Sequence, residues 1–218
     1  MSAALARFTR FDLANLATTQ PLRVLLPILL AAVFVVTLPV AGAGIVIGAV
    51  IAAVAVSVPF QGDEHGRLDV LYGLAPVGRA AVVLGRYLTL LVIALATIAV
   101  GALTSFVVGG LRHQAPTWPA VSTMLLVAVG VVSVAIAVQV PWFFALGFHR
   151  GRPMISVPVA VIATAGFVAG RTGLFAGSLD LAVGLPPLAT TVAVLVLGAG
   201  VLVVSALVAI RVYRRREL

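Results

Sequence analysis

Six apolar stretches, none with a charged residue near its middle, account for most of the chain. They run from Leu22 to Leu38, Gly42 to Phe60, Ala80 to Val108, Pro119 to Leu146, Met154 to Gly170 and Leu188 to Ile210. A hydrocarbon core about 30 Å thick is crossed by about 20 residues of helix, so the first and fifth are short and the third and fourth long. Membrane β-strands would be about half that length and would alternate in polarity, which these do not. Only 9% of residues are charged and 62% are hydrophobic, whereas a water-soluble domain carries about a quarter charged. The expected fold is therefore all-α. One polytopic membrane domain, 1–218, has six transmembrane helices and no room for a separate soluble domain.

Orientation follows from the arginines. All fourteen basic residues are Arg, and the net charge of +8 comes from short clusters between apolar runs. A nucleic-acid-binding protein would instead gather them into a stripe on a polar face. With the N-terminus inside, Arg7, Arg10, Arg23, Arg67, Arg79, Arg86, Arg150, Arg152, Arg211, Arg214, Arg215 and Arg216 are cytoplasmic, and only Arg112 and Arg171 lie outside. The reverse orientation breaks the rule that positive loops stay inside. Both termini are thus expected in the cytoplasm, and no nucleic-acid partner.

Residues 3–20 project Phe11, Phe8, Leu5, Leu16 and Leu13 onto one broad arc, with Arg7 and Arg10 opposite. That pattern predicts an interfacial helix on the inner leaflet, against the plainer reading of a cytosolic lead-in. Asp12 and Asn15 fall inside the apolar arc and spoil it. A cleavable signal peptide ending near Ala41-Gly42-Ala43 is the competing reading. The long polar-flanked lead and Pro39 after the run argue against it.

Pro27, Pro141 and Pro158 lie inside or near the ends of spans, where neighbouring helices must re-satisfy the carbonyls that proline frees. Gly44, Gly48 and Ala52 form a small-residue ridge at four-residue spacing, and Gly166 with Gly170 repeats it. Such ridges let helices approach closely, within one subunit or across a dimer seam, and packing within the subunit is the commoner use.

Several chemistries are not expected. Proton-coupled carriers and voltage sensors usually need ionisable groups within the membrane, whereas Arg86 sits close enough to the cytoplasmic end to snorkel. His65, His113 and His149 lie in loops rather than in a metal-binding pair, and no serine has a base beside it. There is no cysteine. No metal site, cofactor or catalytic activity is expected. A phosphate-binding Walker A loop needs a lysine, and this chain has none, so any ATP must be bound by a partner subunit.

The cytoplasmic loop 61–79 carries the densest polar information. Asp63 reads as a helix N-cap followed by Glu64 at the positive end of the dipole, and Asp63 is spaced to pair with Arg67. Leu68, Leu71 and Leu74 recur at helical spacing around Asp69 and Tyr72, Pro76 closes the segment and Arg79 follows. A short amphipathic helix offered to a protein partner is the sharper reading, and a solvated turn the plainer one.

At this loop the chain resembles the permease subunit of an ABC-2 type ABC transporter, in its small six-helix form. The matching residues are Asp63-Glu64, Leu74-Ala75-Pro76, Arg79 and Gly85-Arg86-Tyr87. A second match is Pro141-Trp142-Phe143-Phe144 followed by the basic cytoplasmic turn Gly147-Phe148-His149-Arg150-Gly151-Arg152-Pro153. The stretch Arg171 to Pro187 is short for the re-entrant extracellular hairpin of larger relatives, and His65-Gly66 replaces longer polar side chains. The resemblance implies an exporter in a bacterial cell membrane, a cytoplasmic ATPase partner docking on 61–79, and a second permease copy or paralogue. A membrane scaffold that captures a substrate without moving it is the alternative.

Overall fold

The computed structural model describes residues 42–66, 78–157 and 187–215, together with positions 9, 10, 12–14, 29, 33, 160, 161 and 164. Five helices organise these residues: α1 (Ala43–Ala55), α2 (Ser57–Gly66), α3 (Arg79–Leu111), α4 (Trp118–Gly151) and α5 (Pro187–Arg215). There is no strand among the described residues. Among the described residues, four spans are long and apolar enough to cross a membrane, α1 joined with α2 through Asp63 counting as one. Of the expected spans 22–38 and 154–170, the structure describes only positions 29, 33, 154–157, 160, 161 and 164, all of them helical.

Local sequence sets the boundaries. Gly42, at φ 83°, turns the chain into α1, a backbone conformation that glycine adopts without penalty. Thr117 is extended and Pro119 sits in the first turn of α4, where its missing N–H costs nothing. The tight connection between α3 and α4 is closed by Gln114 N–H donating to Gly109 O at 2.8 Å.

Three side-chain registers fix how the helices run. Gly44 meets Gly101 and Gly48 meets Thr97, so α1 and α3 are antiparallel. Ser133 lies against Gly198 and Phe144 against Tyr213, so α4 and α5 are parallel. Gln139 bonds Ala53 while Phe60 stacks on Phe144, which makes α1–α2 parallel to α4 as well. The C-terminus of α4 and the N-terminus of α5 therefore lie at opposite ends of the bundle.

The bundle is apolar outside, and polar side chains are buried within its largely apolar core. Leu95, Leu103, Val196, Leu197 and Leu207 are exposed, whereas Thr89, Thr97, Ser105, Ser133, Gln139 and Ser205 are buried. This suits a solvent as apolar as leucine, in which close backbone approach and interhelical hydrogen bonds replace the hydrophobic effect as the cause of association. The Gly44–Gly48–Ala52 ridge is used in this way. A Cβ on Gly101 would stand 2.0 Å from Gly44 O and one on Gly48 2.5 Å from Thr97 O, so the ridge packs backbone on backbone inside the subunit. Ser105 Oγ also accepts the N–H of Gly44, 3.0 Å away, in the otherwise unsatisfied first turn of α1.

Candidate functional site

The second span does not stop at Phe60. Val56, between α1 and α2, keeps helical dihedrals and its N–H on Ala52 O, and the backbone stays helical through Asp63 and Glu64 to Gly66. Two side chains reach the carbonyls beside Val56: Ser57 Oγ donates to Val54 O and Gln139 Nε2 to Ala53 O, each at 2.9 Å. Asp63 is therefore an interior helical residue, not an N-cap. Local propensity suggested a fresh start there, but the incoming span carries the helix on.

Asp63 points back into the protein. Its carboxylate accepts a hydrogen bond from Arg86 Nη2 on α3, and Arg86 Nη1 donates to Asp12 Oδ1 at 2.7 Å. Arg86 stands at the eighth position of α3, about 10 Å along the axis from Arg79 at 1.5 Å per residue. Its side chain is only 1% exposed, and its guanidinium lies 5.2 Å from the Phe60 ring centroid. The expectation that Arg86 snorkels to water is corrected. Two acids and an aromatic face supply inside the protein what water would have supplied outside it.

Around this charge cluster lies an aromatic one. The Phe60 ring is 5.0 Å from Phe143 and 5.2 Å from Phe144, the latter edge-on, and Phe144 is 5.1 Å from Tyr213 of α5. Offset and edge-on rings at such separations attract beyond their area burial. Arg79, the first residue of α3, donates through Nη1 to the carbonyls of Tyr213 and Arg214 at 3.5 and 3.1 Å. A cation there satisfies the open carbonyls at the end of α5 and meets the negative end of its dipole. The start of α3, the end of α2 and the ends of α4 and α5 thus converge on one face.

At the end of α4, Gly147 adopts φ 75° and ψ 175° inside an otherwise helical run, a region essentially confined to glycine. The chain bends so sharply that a Cβ on Gly151 would lie 2.7 Å from Phe143 Cδ1. Phe148 is 6.3 Å from Phe143, and Arg152 lies 5.8 Å over the Phe148 ring. Arg150 is exposed.

Pro141 lies within α4 and leaves Ala137 O without its helical donor. Ser205 Oγ of α5 donates to that oxygen at 2.7 Å and itself lies 2.6 Å from Tyr87 OH of α3. Because a serine hydroxyl has one proton, Tyr87 is the donor in the second bond. Beside this relay an open apolar groove of about 890 Å³ runs between α4 and α5, past Pro141, Trp142, Val201 and Val204.

Of the sequence-derived loop residues, Asp63 and Arg79 join the convergent face, and the backbone of Glu64 is in α2. Arg67, Leu68, Asp69, Leu71, Tyr72, Leu74 and Pro76, and with them the expected amphipathic helix, lie outside the described residues. Sequence reasoning missed Asp12, Gln139, Ser205 and Tyr213. Only Asp12 left a signal, as an acid in an apolar arc.

Comparison with curated proteins and with solved structures returned no match. A family profile described as an ABC-2 family transporter protein matches residues 12–214, from the acid that Arg86 binds to the end of α5 that Arg79 caps. With four spans that are apolar outside and hydrogen-bonded within, the chain belongs to the ABC-2 family of transporter proteins.

Proposed function

We propose that this chain is the permease subunit of an ATP-driven exporter, working with a second copy or paralogue and with a separate cytoplasmic ATPase that docks on residues 61–79. The observation that carries the reading is the helical continuation of the second span: α2 leaves it, passes Asp63 and is helical to Gly66, inside the segment 61–79. An element that transmits movement must be stiff, and a helix joined to the span is stiffer than a free turn. Family membership supports the transport role. The absence of lysine supports a separate ATPase, because phosphate cradling by a Walker A loop needs one.

In this reading the convergent face is cytoplasmic, since it gathers Arg79, Arg150, Arg152, Arg214 and Arg215. Spans at 22–38 and 154–170 complete six crossings and leave both termini in the cytoplasm of a bacterial cell. Parallel α4 and α5 support a crossing between them, because helices joined by a simple turn would be antiparallel. Residues 3–20 lie on the inner leaflet. The apolar groove beside Pro141 and the scarcity of buried charge favour an amphipathic cargo over a small ion.

The test is gentle detergent extraction of the tagged chain from its native membrane, followed by identification of co-purifying subunits. A subunit with a Walker A motif, bound in fixed ratio and hydrolysing ATP, is the expected result. A chain that purifies without any ATPase, under conditions where the dimer survives, overturns the reading.

A further inference from the structure

Asp12 and Asp63 reach the same guanidinium from elements 74 and 23 residues away from Arg86 in sequence. Arginine presents its donors in a rigid planar fork and so holds two carboxylates at a fixed mutual angle. Among the described residues, Asp12 Oδ2 is also buried with no hydrogen-bond partner. An apolar trio of the same volume would hold three elements together at least as well, because buried ion pairs add little net stability. What the charges add is directional linkage.

The opposite end of α2 has a different character. At Val56, where α1 meets α2, the backbone stays helical at φ −51° and ψ −33° with its N–H on Ala52 O at 3.1 Å, and the Ala53 and Val54 carbonyls also accept from the side chains of Gln139 and Ser57. Thus α1 and α2 form one continuous rod from the second span, with a charged fastening at Asp63 near its described end.

Resting on the ATPase-driven reading, we propose that Arg86 is the positioning residue of energy coupling: through Asp63 it passes displacement of the docking loop directly to α3, and through Asp12 it carries the N-terminal segment along. The ion pair is then the direct path from Asp63 to α3. Asp63 acts inward, on Arg86, and the contacts with the ATPase are left to the residues beyond Gly66.

The test uses the complex of this chain with the ATPase that co-purifies with it. Cysteines at the exposed positions Leu95 on α3 and Val134 on α4 carry spin labels in a chain that otherwise has none. The interlabel distance is measured with and without a non-hydrolysable ATP analogue. In the wild-type background the analogue shifts the distance. In Arg86→Gln and Asp63→Asn the ATPase still binds and the shift falls by at least half, while Arg86→Lys, which keeps the charge but not the fork, gives an intermediate shift.

A merely structural role lowers thermal stability of these variants but leaves the shift whole, and that result overturns the proposal. So does a wild-type complex that hydrolyses ATP without any shift, although the ATPase-driven reading survives it. Failure of any ATPase to bind the wild-type chain sinks both. Should Arg86→Gln not fold, Asp63→Asn and Asp12→Asn, each nearly isosteric, carry the same test.

Discussion

Ser205 Oγ donates a 2.7 Å hydrogen bond to the carbonyl of Ala137, the oxygen that Pro141 deprives of its helical donor. A proline in a spanning helix is tolerated only where something else satisfies that carbonyl. Here a serine from the parallel neighbour α5 does so, and Tyr87 of α3 completes a relay across three helices. The proline therefore makes α4 dependent on α5.

That dependence is measurable. In a Tyr87→Phe background, Ser205→Ala is expected to cost about 0.6–1.7 kcal/mol, the range found for interhelical hydrogen bonds in membranes. Adding Pro141→Ala restores the backbone donor, so the same serine substitution becomes nearly neutral. Unfolding in mixed detergent, run as a double-mutant cycle, checks this. Additive effects would show that Ser205 does not serve the carbonyl freed by Pro141.

Gly147 is required by its backbone conformation, φ 75° and ψ 175°. Gly147→Ala is expected to cost about 1–3 kcal/mol, the usual strain of a side chain in that region. Gly130 has nothing within 4 Å of a would-be Cβ, so Gly130→Ala is neutral or slightly stabilising by helix propensity. Thermal unfolding of the two variants in one detergent separates them, and equal melting temperatures would count against the bend at 147.

The crossing of α1 and α3 makes a third prediction. Gly101→Ala places a methyl 2.0 Å from Gly44 O, against backbone that cannot rotate away. Overpacking of this kind costs about 1–3 kcal/mol, and the helices must separate. Gly110, which is open, accepts alanine without such a cost. A Gly101→Ala chain as stable as the Gly110→Ala control would mean that the two backbones do not touch.

Much of this architecture is legible in the sequence because a span announces itself by length and hydrophobicity alone. The expected edges of α3 and α4 at Ala80 and Pro119 fall within one residue of the observed starts at Arg79 and Trp118. Helix continuation was harder to read. Polar residues after Phe60 suggested a loop with its own N-cap, yet Asp63 continues the incoming helix because Arg86 repays the burial of its charge. Asp12 shows the same blindness from the other side: it spoils an amphipathic arc, and the spoiling residue is the one that binds Arg86. Pairings between distant segments leave no periodic trace, so Gln139 with Ala53 and Arg79 with the end of α5 could not be foreseen.

Orientation has a clean assay, since the chain lacks cysteine. Cysteines replacing the exposed Arg150 and Arg214 should resist a membrane-impermeant maleimide in intact cells and react after permeabilisation, and one replacing Gly110 should react in both. Position 151 is a poor reporter, because a side chain there collides with Phe143. Labelling of position 150 in intact cells would reverse the assignment of sides that the arginine distribution supports.

The docking loop itself offers the sharpest separation of roles. In the proposed docking segment Leu68, Leu71 and Leu74 recur at helical spacing in the sequence, a pattern that suits a groove on a partner. Replacing Leu71 with serine should leave insertion and melting temperature unchanged but weaken ATPase association by about 2 kcal/mol, about thirtyfold, as loss of one buried anchor does. Asp63→Asn should behave in the opposite way, keeping the ATPase while loosening the link to α3, because its carboxylate faces Arg86. A substitution at Asp180, in the segment assigned to the far side, should alter neither. Binding of the ATPase to each variant in nanodiscs, measured beside thermal stability, distinguishes the cases. Equal affinity for Leu71→Ser and wild type would remove the loop from the docking interface and leave the Arg86 cluster without a source of movement.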